Sequence, residues 1–401
     1  LINIIPIYFI GGFMVMHDIP LFFFWLLTGW IFARFINTQK VVYLFLGGLS
    51  LALTFYSKYT AAFLGFGVLT FFILSATQRR WFKNRSFWLS VIFTLLLFIP
   101  FVLWNINNEW ISFHFMVRRT SSNNLTMYKF LDFFLSYNGA QILLLSPLVF
   151  ILFCNAYSKS IVEWWKNRDD RILLCLSMSL PPLIYFIFQS FKARTHPNWS
   201  VPAYPMGLIL MTEFIGKQLQ QRSQSLLYQP KYLKWMFISS LLIGMMTIVH
   251  AFFCLIPISL PEIIKNDRTL KEFYGWQKLG EKIAEISTDD QIIMALKYQI
   301  ASEIEFYHPE HPQVYCMNAF NRGNQYDFTN DYESLDGKDV LLITQKENIP
   351  NNLKEKFHHI DEPAIFTLSF RGIDYKTFFL FNCYNFDHSK GDNLNRRKKI
   401  M

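Results

Sequence analysis

Four short polar clusters interrupt an otherwise apolar chain, and each brings together groups able to do chemistry. Asp18 sits in Met-His-Asp-Ile-Pro (16–20). It would serve either as a helix N-cap, with Pro20 suited to the first turn, or as an acidic group facing a cavity, where it would bind a sugar hydroxyl or a metal. Lys58 sits in Tyr-Ser-Lys-Tyr-Thr (56–60), as a lysine snorkelling to an interface or as a phosphate contact. Arg118 and Arg119 follow the run Trp104-Asn105-Ile106-Asn107-Asn108-Glu109-Trp110. Guanidinium forks take two phosphate oxygens at once, although an ordinary surface pair beside anchoring tryptophans has the same composition. The densest cluster is Lys192-Ala193-Arg194-Thr195-His196-Pro197-Asn198-Trp199. Lys192 and Arg194 suit a phosphate, Trp199 a stacked sugar ring, and His196 and Asn198 its hydroxyls.

One chemistry connects these clusters. A transferase that uses a polyprenyl-phosphate sugar must hold a lipid phosphate at a membrane surface. It needs a carboxylate to accept the acceptor's proton and cations to stabilise the phosphate as it leaves. A transporter or flippase would instead place polar groups at the bilayer midplane, in helices broken by Gly or Pro. Here they sit in loops and at the ends of apolar runs.

Those runs are the elements that must position the clusters. Hydrophobic residues make up 52% of the chain and charged residues only 17%, against about 25% charged in soluble domains. A membrane helix needs about 20 apolar residues. Spans are expected near 1–16, 19–37, 40–56, 59–76, 86–104, 139–156, 171–190, 199–215 and 235–257, about nine in all. The connections after the second, fourth, sixth and eighth spans hold 14 Lys and Arg, and the alternate set 6. Basic residues collect in cytoplasmic loops, so the polar clusters and the segment after 258 are expected outside. In a bacterium that is the periplasm, with the chain in the inner membrane. The net charge of +9 is accounted for by this bias and does not indicate nucleic acid.

Residues 258–390 read as a soluble α/β domain, and 391–401 as a basic, solvated tail. Phe273, Trp276, Leu279, Ile283 and Ile286 recur at helical spacing over 270–287. A second helix is expected at 298–307, and strands at 291–296, 313–317, 339–344, 364–369 and 377–382. The five cysteines form no CxxC and have no nearby histidine to complete a zinc set. Cys154, Cys175 and Cys254 are expected inside spans as small apolar residues, and Cys316 is a possible disulfide partner of Cys383.

Taken in order, several strings resemble the bacterial branch of glycosyltransferase family 39. These are C-type (GT-C) membrane transferases related to protein O-mannosyltransferases and lipid A aminoarabinose transferases. The strings are Gly-Gly-Phe-Met-Val-Met-His-Asp-Ile-Pro-Leu-Phe-Phe-Phe-Trp (11–25), Leu-Thr-Phe-Tyr-Ser-Lys-Tyr-Thr-Ala (53–61), Leu-Trp-Asn-Ile-Asn-Asn-Glu-Trp-Ile-Ser-Phe (103–113) and Lys-Ala-Arg-Thr-His-Pro-Asn-Trp-Ser-Val-Pro-Ala-Tyr (192–204). Glu-Phe-Tyr (305–307) and Asn-Gln-Tyr-Asp-Phe (324–328) continue them. The resemblance implies a polytopic α-helical membrane protein with a small periplasmic α/β domain, acting as a hexosyl- or pentosyltransferase. It implies an undecaprenyl-phosphate-linked sugar donor and a lipid or glycan acceptor. It assigns Asp18 to an acidic site position, Lys58 to the lysine of a Ser-Lys-Tyr-Thr-like stretch, and His196, Asn198 and Trp199 to a His-Pro-Asn-Trp loop. No cofactor follows beyond a possible divalent metal. The family's main catalytic carboxylate lies in the first periplasmic loop, which would come before Leu1. An N-terminally truncated chain is therefore expected, and an inactive fragment of the transferase stands as an alternative beside transport or polymerisation of envelope glycans.

Overall fold

The computed structural model describes residues 2–12, 16, 18–120, 127–222, 224–254, 261–288, 290–317 and 324–390, with backbone alone at 115, 117–120, 261 and 263. The chain divides into two compact units, Leu1–Ile248 and Val249–Met401. The expected boundary at 258 and the basic tail at 391–401 lie outside the described residues.

The first unit is helical. Among the described residues, Asp18–Thr38, Arg85–Asn107, Asp170–Lys192 and Pro230–Phe253 are long and apolar enough to cross a membrane. Arg85–Asn107 leaves Trp88, Leu89, Ile92, Leu95 and Leu96 each more than half exposed. A continuous bare apolar face of this kind needs an apolar surrounding, so the unit is that of a multi-pass membrane protein. Val42–Ser57 and Tyr59–Leu74 are apolar but shorter. The expected eighth span begins later than 199, at Tyr204, after two 3-10 turns.

The expected span at 139–156 is corrected. It straddles a break between Met127–Leu145 and Pro147–Asn167, which are bent by 100°. Ser146 adopts φ 71°, a conformation that ends an L-residue helix. Pro147 then starts the next helix at a position where its missing N–H costs nothing.

Two helices meet closely at Gly67. A Cβ there would lie 2.2 Å from the carbonyl oxygen of Ser177, so Tyr59–Leu74 approaches Asp170–Lys192 backbone to backbone. Phe71, Phe72 and Leu64 join Leu173, Leu174 and Met178 in the same buried cluster.

The second unit is built on a six-stranded mixed sheet. Its strands are β1 (Ile292–Ala295), β2 (Tyr315–Cys316), β3 (Val340–Thr344), β4 (Phe357–Ile360), β5 (Ala364–Phe370) and β6 (Ile373–Phe386), in the order β2-β1-β3-β6-β4 with β5 paired to β6. β1 runs parallel to β2 and β3, while β6 is antiparallel to its neighbours. The β4 strand was not expected from the sequence. Its Phe-His-His-Ile has two exposed histidines, a pattern that hides an edge strand.

The two faces of the sheet bury separate cores. One takes Trp276, Leu279 and Ile283 from the helix Trp276–Ile286 together with Ile300, Ala301 and Ile304 from Tyr298–Tyr307. The helix expected at 270–287 is therefore two, Arg268–Phe273 and Trp276–Ile286. Gly275 breaks it at φ 82°, where a Cβ would come 2.4 Å from Leu368 Cδ1. Cys316 belongs to this core and Cys383 to the opposite one. Both are free thiols, so the possible disulfide is excluded by the alternation of side chains across the sheet.

Candidate functional site

The helix Asp18–Thr38 and the helix Val42–Ser57 are joined by a short connection and pack side by side. The start of one therefore lies beside the end of the other. Asp18 is the first residue of its helix, and Lys58 is the C-cap of the second, with extended backbone at φ −165°. A carboxylate is favoured at a helix N-terminus and an ammonium at a C-terminus. Lys58 Nζ donates to Asp18 Oδ1 at 2.6 Å, with the two side chains only 16% and 7% exposed. Lys58 is thus turned inward to a partner instead of snorkelling outward. The Asp18 carboxylate also bonds across to the neighbouring helix, not back to its own backbone.

Lys58 lines a cavity of about 360 Å³ with Phe55, Tyr56, Ser57, Tyr59 and Phe101. Its wall is firm. Phe55 packs edge-on against Phe98 and Phe101, Tyr56 donates to the Leu97 carbonyl at 2.8 Å and Tyr59 to Ser112 Oγ at 3.1 Å. Two residues past Lys58, the hydroxyl of Thr60 is buried without a hydrogen-bond partner, and so is the side-chain oxygen of Asn105. An unmet buried polar group costs about 1–3 kcal/mol.

The same segment leads into a larger, almost wholly apolar groove of about 790 Å³. Phe63, Phe66, Leu176, Leu180, Ile184 and Phe188 line it. Phe63 packs on Phe186, whose ring lies 5.8 Å from Trp199. A seam of aromatic rings thereby joins the Lys58 segment to the His196–Trp199 loop.

That loop is held from below. His196 and Trp199 pack ring to ring at 5.2 Å, and Asn198 is half-buried beside them. Gln141, buried in the helix Met127–Leu145, donates to the Pro197 carbonyl at 3.1 Å. Its oxygen accepts from Ser200 Oγ at 3.3 Å and from the Tyr204 hydroxyl. Tyr8 donates to the Val201 carbonyl at 2.9 Å. Sequence reasoning missed Gln141, and its one signal was an amide in an apolar run. Lys192 and Arg194 are exposed at the loop's start. Arg118 and Arg119 fall in the last turns of Ile111–Thr120, but their side chains lie outside the described residues.

The Asp18 carboxylate is held by the Lys58 ammonium, and the His196 imidazole packs on the Trp199 indole. Among the described residues, the ligand set of suitable spacing is His250, Cys254 and Asp267. This corrects the expectation that no cysteine has a nearby histidine. The signal present in the sequence was His250-x-x-x-Cys254, one helical turn.

Residues 1–104 match the family model described as dolichyl-phosphate-mannose-protein mannosyltransferase. That stretch contains Asp18 and Lys58 and ends before the His196 loop. The lipid A galacturonosyltransferase RgtD of Rhizobium johnstonii is 25% identical over 169 residues, 41% of this chain and 33% of that protein. The aligned part of the chain thus spans about a third of the length of the curated relative it matches. No solved structure matches. Over these stretches the chain is similar to membrane glycosyltransferases of the GT-C type.

Proposed function

We propose that this chain, similar in its first part to GT-C membrane glycosyltransferases, moves a sugar from an undecaprenyl-phosphate-linked donor to a lipid or polysaccharide acceptor. The acceptor faces the periplasm, and the chain crosses a bacterial inner membrane several times. The observation that carries this reading is the largely buried Asp18–Lys58 pair, with Lys58 on the wall of a cavity and the segment just after it, from Ala62 to Leu74, contributing to an apolar groove. The groove suits a polyprenyl tail, and the Lys58 ammonium suits the phosphate to which the tail is joined.

In this scheme the bond from the sugar's anomeric carbon to the phosphate oxygen breaks, and a bond to the acceptor oxygen forms. Polyprenyl phosphate leaves with its new charge beside Lys58, Lys192 and Arg194. The acceptor's proton passes to a carboxylate. Asp18 orients Lys58 through Oδ1, while its Oδ2 makes no bond among the described residues and is open to a sugar hydroxyl. Trp199 offers a flat face for the sugar ring, with His196 tilted beside it and Asn198 as donor and acceptor for its hydroxyls.

The test is sugar transfer in membranes supplied with labelled polyprenyl-phosphate sugars, using the protein as its gene encodes it. Lys58→Met should abolish transfer and Lys58→Arg should retain part of it. Absence of both transfer and polyprenyl-phosphate binding in the unaltered protein would overturn the reading.

A further inference from the structure

The start of the second unit gathers three side chains of a different chemistry. The helix Pro230–Phe253 ends just before Cys254, which takes φ 46° while its N–H still bonds to the His250 carbonyl at 2.8 Å. The chain therefore keeps one further turn, and residues four apart share a face. The short helix Pro261–Asn266 then brings Asp267 back to that face.

Asp267 is divided between two tasks. Oδ1 accepts from the Thr269 and Leu270 N–H groups at 2.7 and 3.2 Å, which caps the next helix. Oδ2 lies 3.2 Å from His250 Nε2. One ligand atom each from His250, Cys254 and Asp267 lies within 4.8 Å of the others. Tetrahedral bonds of about 2.0–2.3 Å put neighbouring ligand atoms about 3.3–3.7 Å apart, so the 3.2 Å His–Asp edge is close to a metal-site length, and the thiol, within 4.8 Å, has to close in by about 1 Å.

The surroundings point the same way. Cys254 is 2% exposed among Ile264, Leu270, Tyr274 and Tyr375. Nδ1 of His250 and the hydroxyl of Tyr274 are both buried with no hydrogen-bond partner. A histidine–aspartate hydrogen bond alone explains neither the orphaned Tyr274 hydroxyl nor a thiol brought to that bond. We propose that His250, Cys254 and Asp267 bind a divalent transition cation of the zinc class. One nitrogen, one sulfur and one oxygen make a borderline-soft donor set. A carboxylate and a thiolate neutralise the two charges, and the fourth position is open to water or the Tyr274 hydroxyl. Bound there, the cation ties the end of a long apolar helix to the two short helices that follow it. This inference does not depend on the transferase reading.

Cobalt(II) titration of the purified full chain in detergent, after chelator treatment, tests it. A thiolate-to-cobalt charge-transfer band with tetrahedral ligand-field bands is expected, displaced by zinc. Cys254→Ser should remove the charge-transfer band, while Cys316→Ser and Cys383→Ser should leave it. His250→Ala and Asp267→Asn should each weaken zinc affinity at least about tenfold, the loss that removing a mere supporting hydrogen bond to a metal ligand already causes. Far-ultraviolet circular dichroism matching that of the unaltered chain shows that each variant is folded. The proposal is overturned if the unaltered chain gives no thiolate band, or if the band survives Cys254→Ser.

Discussion

Lys58 reaches across 40 positions of sequence to place its ammonium 2.6 Å from the Asp18 carboxylate. The pair forms because two neighbouring helices present opposite partial charges at the same level. Removing one member strands the other charge at a largely dry site, which costs about 3 kcal/mol. Asp18→Asn and Lys58→Met should each lower thermal stability in detergent by an amount of that order. The double variant should recover most of the loss, and strict additivity of the two losses would show that the pair is not coupled.

Gln141 makes three bonds to the turn that follows His196. Replacing it with Leu leaves the Tyr204 hydroxyl unmet and the Pro197 carbonyl and Ser200 hydroxyl with only their mutual 3.3 Å bond, at about 1–3 kcal/mol. Hydrogen exchange should rise in residues 197–203, and the environment of Trp199 should change in its fluorescence. Unaltered exchange would mean that the loop is held by its aromatic contacts alone.

Gly67→Ala drives a methyl group to 2.2 Å from a backbone oxygen, which no rotamer change relieves. A loss of about 1–3 kcal/mol is expected from overpacking. Gly216→Ala, with nothing within 4 Å of the added Cβ, should be tolerated. Equal effects from the two would refute the close approach.

In the second unit, Lys376 is buried with its Nζ 3.7 Å from the centre of the Trp276 ring and no hydrogen-bond partner. Burial pushes its pKa down to about 8 from 10.5, with Glu303 and then Glu272 pulling the other way. Below 8 the folded state must carry this charge, which the unfolded chain carries in water. Lys376→Met should therefore stabilise the sheet most at neutral pH, and the gap from the unaltered protein should close as pH rises from about 8 towards 10.5. The buried Cys316 and Cys383 thiols, pushed up to about 12 by burial, contribute the opposite slope to both proteins and cancel in the comparison. Hydrogen exchange of β3 and β6 across that range gives the measurement, and a gap independent of pH would contradict it.

Much of the helix placement was legible because membrane helices are specified by length and apolarity, which are properties of consecutive residues. The runs 19–37, 86–104, 171–190 and 235–257 each became a helix within a few residues at either end. The same holds for β1, β3, β5 and the helix Tyr298–Tyr307, whose periods of two and 3.6 are local. The run at 139–156 was misread because composition does not record a single left-handed residue at Ser146. β4 was missed because an edge strand carries little hydrophobic signal. The Asp18, Lys58 and His196 clusters stood out as polar groups in apolar surroundings, but their partners did not.

By itself, then, the sequence determined which segments are helices or strands, and which polar residues need explaining, since both follow from neighbours along the chain. Only the tertiary structure decided that Lys58 serves Asp18, that Gln141 anchors the His196 loop, that Cys316 and Cys383 face opposite cores, and that His250, Cys254 and Asp267 converge. Each of these is a meeting of side chains from separate elements. It depends on helix packing, strand register and the direction of a turn, and no spacing of residues along one element contains that information.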